Sequence, residues 1–101
     1  MKYDKLVRDR IPEIMRDDGA EPTIHTASDD EYVHRLHEKL REETDEFFKD
    51  GDVGELADIL EVVYALGDLE GVPRKQLEEM RAKKTKERGA FKERIVLDES
   101  Q

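Results

Sequence analysis

The sequence predicts an all-α protein built on a hairpin of two helices. Residues 39–69 read KLREETDEFFKDGDVGELADILEVVYALGDL, and in them two helical patterns flank a turn that contains Gly51 and Gly54. The second of these patterns is apolar nearly all round, which is typical of a helix covered by neighbouring elements. A further helical pattern, RKQLEEMRAKKTKER, follows Pro73. These three segments predict a small helical bundle with the hairpin at its centre.

The N-terminal third of the chain predicts an arm, one short helix and one short strand. Residues 2–10, KYDKLVRDR, mix basic and acidic residues with a few apolar anchors, a pattern that favours an arm docked on the bundle. Pro12 suits the first turn of a helix that runs from Ile11 to about Arg16. Residues 22–26 alternate threonine and isoleucine among polar residues, so a short strand is expected there.

The sequence also predicts where the two helices of the hairpin begin and end, and how much cover the second one needs. The first arm is expected to begin after a cap at Ser28 or Asp29 and to carry an approximate apolar stripe. The second arm is expected to run from about Gly54 to Leu69. Because so apolar a helix needs more cover than a chain of 101 residues supplies, we expect a homo-oligomer with this helix central to the assembly and part of it at the subunit interface.

The last third of the chain predicts a helix followed by a strand. The helix is expected from Arg74 to about Arg88, where Gly89 ends it. Lysine and arginine collect toward its end, which is favourable beside the helix dipole and for solubility. A phosphate-binding rim is the alternative interpretation of the same basic residues. Residues 91–97, FKERIVL, predict a second short strand that would pair with residues 22–26.

Composition limits the classes of function. A length of 101 residues predicts one domain, residues 1–101. The formal net charge is −9 and 45% of the residues are charged, which disfavours general binding to nucleic acid or to anionic membranes. Cysteine is absent from the sequence, so disulfides and thiolate zinc sites are excluded. The sequence shows neither a signal-peptide pattern nor an apolar run of about 20 residues, so a cytoplasmic protein is expected.

Acidic residues on both arms of the hairpin form the candidate site. Glu42, Glu43 and Glu46 fall within roughly 100° of the surface of the first arm, because residues three and four apart are helical neighbours. The turn folds the arms antiparallel, which brings Glu43 and Glu46 close to Glu55 and Asp58 at the start of the second arm. Carboxylate oxygens are the ligands that Mg²⁺ prefers, so the pattern predicts a Mg²⁺ site near the hairpin tip, with Mn²⁺ as a substitute.

An ordinary solvated acidic face is the alternative to this metal site. In that interpretation Asp45 pairs with Lys49 one helical turn away, and Asp52 with Glu55 forms a helix capping box. Any single acid of the set is more often a surface residue than a ligand. The paired spacing on two facing arms favours the metal site.

The acidic pattern resembles a known signature. Glu42, Glu43 and Glu46 followed by Glu55 and Asp58 match the EExxE…ExxD motif of the all-α nucleoside triphosphate pyrophosphohydrolases, the MazG-like superfamily. The segments KLVRDRIPE, ELADILEVVYAL and KERGAFKERIVL look like the landmarks of a small MazG-like subgroup, in the same order. The resemblance covers nearly the whole chain. One departure is Gly89-Ala90, where the subgroup often has two adjacent glycines.

The resemblance implies Mg²⁺-dependent hydrolysis of a nucleoside triphosphate to the monophosphate and pyrophosphate, as in house-cleaning of the nucleotide pool. It also implies that the helical protein assembles as a homodimer or homotetramer. By motif position, Glu43, Glu46, Glu55 and Asp58 would bind the metal. Glu42 would be a further ligand or would orient the attacking water. Phosphate contacts are implied for basic residues of the opening motif and of the last helix, namely Lys5, Arg8, Arg10, Lys83, Lys86 and Arg88.

Two other functions fit parts of the same pattern. Phosphoribosyl-ATP pyrophosphohydrolase of histidine biosynthesis belongs to the same superfamily and uses the same metal chemistry on a different base and sugar. A non-catalytic acidic helical interaction protein would use the acids only as a solvated face. A nucleic-acid-binding module is disfavoured, because the basic residues lack interleaved aromatic residues and the net charge is negative.

Overall fold

The computed structural model describes residues 2–101, which contain four α-helices and no strand. Helix α1 spans Ile11–Asp17, α2 spans Asp29–Asp50, α3 spans Val53–Leu69 and α4 spans Arg74–Arg88. The all-α fold class is therefore confirmed, and the predicted helices lie where they were expected. No helix within the described residues is long and apolar enough to cross a membrane.

The prediction of two short strands is wrong. Residues 22–26 and 91–97 are irregular, and neither segment forms a strand or a bridge within residues 2–101. A strand needs a neighbouring strand to pair with its N–H and C=O groups. In the second segment the recorded backbone hydrogen bond is local, from the Arg94 N–H to the Phe91 carbonyl at 3.1 Å. The alternating pattern of these segments therefore does not correspond to a pleated sheet.

Local interactions define both ends of α2. Ser28 caps the N-terminus, since its hydroxyl oxygen accepts a hydrogen bond from the Glu31 N–H at 3.2 Å. Gly51 ends the helix in the left-handed conformation, with φ of 66°, which costs least for glycine. Its N–H donates to the Phe47 carbonyl at 2.8 Å. The turn that reverses the chain is thus encoded by residues next to it in sequence.

The start of α3 differs in detail from the predicted capping box. The Asp52 carboxylate accepts a hydrogen bond from the Gly54 N–H at 2.8 Å, so Asp52 does cap the helix. The reciprocal bond from the Glu55 side chain is not among the hydrogen bonds of residues 2–101. The predicted surface pair of Asp45 with Lys49 is likewise not among the ion pairs of these residues. The Glu55 carboxylate is therefore available for contacts with α2.

Helices α2 and α3 pack along each other as the antiparallel hairpin, and α4 packs on α3. The buried apolar side chains are Leu36 of α2 and Val62 of α3. At the junction with α4, the Arg74 guanidinium lies 4.5 Å from the centre of the Tyr64 ring, in cation–π geometry. These contacts lie at the end of α3 that is remote from the hairpin turn.

Replacing Gly67 with alanine is expected to lower the free energy of unfolding by about 1–3 kcal/mol. A Cβ atom at this position would lie 2.9 Å from the Val72 carbonyl oxygen and 3.5 Å from a methyl carbon of Leu77. The Val72 N–H also donates to the Gly67 carbonyl at 2.8 Å, which restricts movement of the backbone. Thermal unfolding measures the effect. Asp68→Ala, at an exposed neighbouring position, is the control, and its free energy of unfolding is expected to lie within about 0.5 kcal/mol of that of wild type. Equal melting temperatures for Gly67→Ala and wild type would show that this junction tolerates a side chain.

The single chain is elongated and leaves much apolar surface exposed. Its radius of gyration is 17.7 Å, against about 13 Å for a compact domain of this length. Among residues 2–101, only Leu36, Glu43 and Val62 are buried. Helix α3 was predicted to be covered partly by its own chain and partly by a second subunit, and in the single chain Leu56 and Leu60 are each 46% exposed. Within one chain, α3 is therefore covered on only part of its surface.

Candidate metal centre

Three carboxylates from the two arms of the hairpin meet close to its turn. Glu43 belongs to α2, and Glu55 and Asp58 belong to α3. Each of the three offers one oxygen, and these oxygens all lie within 4.8 Å of one another. The short turn makes the first turns of α3 run back beside the last turns of α2. Sequence spacing alone predicted this meeting of the three residues.

The carboxylate cluster is partly enclosed and, when all three groups are ionised, has no hydrogen-bond donor of its own. Glu43 is only 7% exposed and is the buried charged residue among residues 2–101. One oxygen of Glu43 and one of Glu55, both Oε2, are inaccessible to solvent and have no hydrogen-bond partner. Ionised carboxylates only accept hydrogen bonds, so facing carboxylates cannot satisfy each other without a proton or a cation. The cluster therefore offers carboxylate oxygens without hydrogen-bond partners, which are suitable ligands for a divalent cation.

The crowding of the acids changes the protonation of Glu55. When Glu55 carries a proton, it can donate a hydrogen bond to Glu43, and this stabilisation of the protonated form is the largest cause that raises the pKa of Glu55 to about 7. Partial removal from water raises this pKa further, as do the negative charges of Glu46, Glu43 and Asp58. Near neutral pH, Glu55 is therefore poised between the protonated and the ionised form.

Two basic side chains neutralise part of the charge of the cluster. The Nζ atom of Lys39 lies 3.2 Å from Oε1 of Glu43. The Nη2 atom of Arg8 donates to Oδ1 of Asp58 at 2.7 Å. Glu55 has no ion-pair partner within residues 2–101. Each of the other two carboxylates thus has one oxygen occupied by a protein cation, and the excess negative charge is concentrated at Glu55.

The two remaining acids of the motif lie beside the cluster. Glu42 accepts a hydrogen bond from Lys5 at 3.1 Å through Oε1, and its Oε2 lies 3.5 Å from the Lys39 ammonium. Hydrogen bonding and attraction to Glu42 raise the pKa of Lys5, so this lysine stays charged beside the site. Glu46 is half-buried and acts on Glu55 through its charge, but its oxygens are outside the three-carboxylate group. The structure thus groups three of the four predicted ligands.

The six predicted phosphate contacts separate into two that lie beside the cluster and four that do not. Lys5 and Arg8 reach the acids of the hairpin, as described above. Arg10 instead pairs with Glu13 in the first turn of α1, at 3.3 Å. The other three lie on the exposed last turns of α4, which packs closely on α3 but not on α2 within residues 2–101, and they are Lys83, Lys86 and Arg88.

Lys39 is a component of the site that sequence reasoning missed. It contacts both Glu42 and Glu43, which follow it three and four positions later on the same helix. That spacing is the usual one for helical ion pairs and was visible in the sequence. Arg8 was predicted to contact phosphate, whereas its position against Asp58 depends on a contact between residues 50 positions apart.

Fold and site together define an all-α protein with a carboxylate cluster held between the arms of a helical hairpin. Comparisons with known proteins add little to this description. No protein-family model matches the chain, and no solved structure matches it. An uncharacterized protein of Mycolicibacterium smegmatis (strain ATCC 700084 / mc(2)155) is 57% identical over 42 residues. The match covers 42% of this chain and 43% of that relative, so it spans less than half of either protein.

Proposed function

We propose that this protein is a Mg²⁺-dependent nucleoside triphosphate pyrophosphohydrolase of the MazG-like type. The observation that carries the proposal is the pair of enclosed, unpartnered oxygens of Glu43 and Glu55 beside Asp58. Hard oxygen ligands and an incomplete cage suit Mg²⁺, which keeps several waters that a phosphate can displace. The order of the acids along α2 and α3 is also that of the EExxE…ExxD motif. In this proposal the protein acts on the cytoplasmic nucleotide pool as a homodimer or homotetramer.

Glu43, Glu55 and Asp58 would hold the ion, and Glu46 would complete the set of carboxylate ligands that the motif implies. When bound, Mg²⁺ supplies neutralisation of phosphate charge and a lowered pKa of bound water. Without a cation, the crowded carboxylates would repel a triphosphate. The acidic character of the site therefore makes the activity depend on a metal.

The side chains around the cluster provide the remaining functions of the proposed site. Glu42 is held by Lys5 and Lys39, and from there it would orient the attacking water or accept its proton. Arg8 lies against Asp58, where its guanidinium would bind phosphate oxygens close to the metal. Lys5 would add a second positive charge on the same side of the hairpin. These contacts would stabilise the departing pyrophosphate, so water would attack the α-phosphorus.

Hydrolysis in ¹⁸O-labelled water tests the reaction directly. With a nucleoside triphosphate and Mg²⁺, the label is expected in the nucleoside monophosphate, with unlabelled pyrophosphate as the other product. Nucleoside diphosphates are expected to be poor substrates, because they lack one phosphate for the basic side chains to bind. Parallel reactions with EDTA, and with the Glu55→Gln variant, control for a contaminating hydrolase. Label in pyrophosphate would move the attack to the β-phosphorus, and release of orthophosphate would contradict the proposal.

A substrate panel defines which nucleotide the site prefers. Canonical and modified ribonucleoside and deoxyribonucleoside triphosphates are compared with phosphoribosyl-ATP at equal concentration, with pyrophosphate release as the readout. The proposal expects turnover of nucleoside triphosphates. Turnover confined to phosphoribosyl-ATP would reassign the protein to histidine biosynthesis. Absence of any turnover, together with absence of Mg²⁺ binding, would favour a non-catalytic helical protein.

A further inference from the structure

The C-terminal part of the chain presents a basic and apolar surface to solvent. We call residues 81–97 the basic arm, which comprises the last two turns of α4 and the segment after it. The basic arm contains seven lysine or arginine residues and two glutamates. Phe91 is 95% exposed, and the other large apolar side chains of this segment, Ile95, Val96 and Leu97, are 78–85% exposed. Such a continuous exposed apolar segment is unusual for a monomer and is typical of a docking segment.

The hairpin presents a surface of opposite charge that also carries exposed apolar side chains. We call residues 42–61 the acidic hairpin, which contains nine acidic residues and one lysine. Phe48 and Val53 beside its turn are 76% and 75% exposed. Leu56 and Leu60 continue this apolar surface along α3. The basic arm and the acidic hairpin are therefore complementary both in charge and in apolar character.

These two surfaces do not meet within one chain. Helix α4 contacts α3 close to its own start, where Arg74 lies over Tyr64 and Leu77 lies beside Gly67. Beyond this junction every residue of the arm is exposed, and α4 makes no close contact with α2 in the described part of the chain. In the described part of the chain, the ion pair that the arm makes joins Arg81 to Glu78 on the preceding turn of α4, at 2.6 Å. The charges of the arm are otherwise available to another molecule.

The amount of exposed surface is more than a second copy has to cover in a stable dimer. The chain has an accessible surface of 9306 Å², whereas a compact monomer of 11.8 kDa has about 5,900 Å². The excess is about 3,400 Å² per chain, or about 6,800 Å² for two chains. Obligate homodimers bury about 2,000–5,000 Å² in total over both chains, so covering only part of this excess is sufficient for a stable dimer.

We propose that the basic arm of one copy docks on the acidic hairpin of a second copy, and that the exchange is reciprocal. Reciprocal exchange gives a closed dimer with two-fold symmetry, because the same pair of surfaces is used twice. The apolar side chains after α4 would cover the exposed part of α3. The lysines and arginines would face exposed acids of the hairpin that lie outside the metal centre, namely Asp50, Asp52 and Glu61. This inference goes beyond the proposed reaction and is tested without nucleotide or metal.

Truncation tests the contribution of the arm. Sedimentation velocity is expected to show a dimer for the full chain and for a chain that ends at Leu97. A chain that ends at Ala90 keeps all four helices and is expected to dissociate at least about 100-fold more readily, because it lacks the apolar segment. Circular dichroism verifies that its helix content is retained. A monomeric full chain, or a dimer unaffected by truncation at Ala90, would overturn the proposal.

Charge reversal provides a second and independent measurement. The triple variant Lys83→Glu, Lys84→Glu and Lys86→Glu is expected to weaken the dimer at least about tenfold at low salt, and less at high salt. Lys75→Glu on the first turn of α4 is the control, since this residue lies outside the arm. Dimers with equal dissociation constants for the triple variant and wild type would contradict an electrostatic contact between arm and hairpin.

Cross-linking between copies identifies the surfaces. A carbodiimide joins lysine amines to carboxylates in contact, so the arm of one copy is expected to be linked to the acidic hairpin of the other. Mixing ¹⁴N- and ¹⁵N-labelled protein before cross-linking allows mass spectrometry to distinguish links between two copies from links within one chain. Cross-linked peptides of mixed isotope composition support exchange between copies. Arm-to-hairpin links of a single isotope composition only would show that the arm folds back on its own chain.

Discussion

The Glu55→Gln variant is expected to lose nucleotide hydrolysis by at least about 100-fold while its metal-free fold becomes more stable. Glu55 lies within 4.8 Å of Glu43 and Asp58 and has an enclosed oxygen without a partner. An amide in its place can donate a hydrogen bond to Glu43 and carries no charge, so repulsion within the cluster decreases. The same change removes a carboxylate ligand, which a bound cation requires.

Thermal unfolding with and without Mg²⁺ separates these two effects. Wild-type protein at 100 times the dissociation constant of Mg²⁺ is expected to gain about 2.7 kcal/mol from ligand binding. Glu55→Gln is expected to melt at a higher temperature than wild type in EDTA and to gain little from Mg²⁺. Asp45→Asn is the matched control, because it removes one exposed carboxylate of α2 outside the cluster. Turnover of Glu55→Gln close to that of wild type at saturating Mg²⁺ would show that Glu55 is not a ligand.

Asp58→Asn is expected to be equally inactive but not more stable. Asp58 differs from Glu55 because it pairs with Arg8 at 2.7 Å, and the substitution removes this ion pair along with the repulsion. Loss of the ion pair lowers stability and loss of the repulsion raises it, so the melting temperature in EDTA is expected to stay close to that of wild type. A large increase for Asp58→Asn would mean that the contact with Arg8 contributes nothing to stability.

The affinity for Mg²⁺ is expected to increase with pH up to about 7 and then to level off. The hydrogen bond with Glu43 and the surrounding negative charge raise the pKa of Glu55 to about 7, so below that pH a proton occupies a ligand oxygen. Binding of the cation must then release this proton, and the affinity changes by about tenfold per pH unit. Calorimetry in buffers of different ionisation enthalpy measures both the affinity and the number of protons released.

The stability of the metal-free protein is expected to show the opposite pH dependence. The pKa of Glu55 is about 7 in the folded chain, whereas its ordinary value is 4.5. Between these two pH values the folded state therefore keeps a proton that the unfolded state has already released. The associated stabilisation is fully present below about pH 4.5 and is lost as the pH rises through 7. Glu55→Gln is expected to lack this dependence. Equal slopes for the variant and wild type between about pH 5 and 8 would assign the titration to another group.

The helix ends and the hairpin follow from local sequence, because their determinants are neighbours along the chain. Ser28 caps α2, Gly51 adopts the left-handed conformation that ends it, and Asp52 caps α3. Once the turn is set, the antiparallel course of the helices brings Glu43 opposite Glu55. This part of the candidate site was therefore predictable, since the periodicity of a helix converts spacing in sequence into position on a surface.

Interactions between distant residues were decided only by the tertiary structure. Whether residues 22–26 and 91–97 form strands depends on pairing with a neighbouring backbone, and neither segment is paired in this way within residues 2–101. The pairing of Arg8 with Asp58 joins residues 50 positions apart, so it cannot be predicted from local spacing in the sequence. Helix α4 contacts α3 at Gly67 and Tyr64, at the end of α3 that is remote from the hairpin turn. Lys83, Lys86 and Arg88 lie beyond this contact on an exposed helix end and not beside the carboxylates, because within residues 2–101 α4 packs on α3 and not on α2.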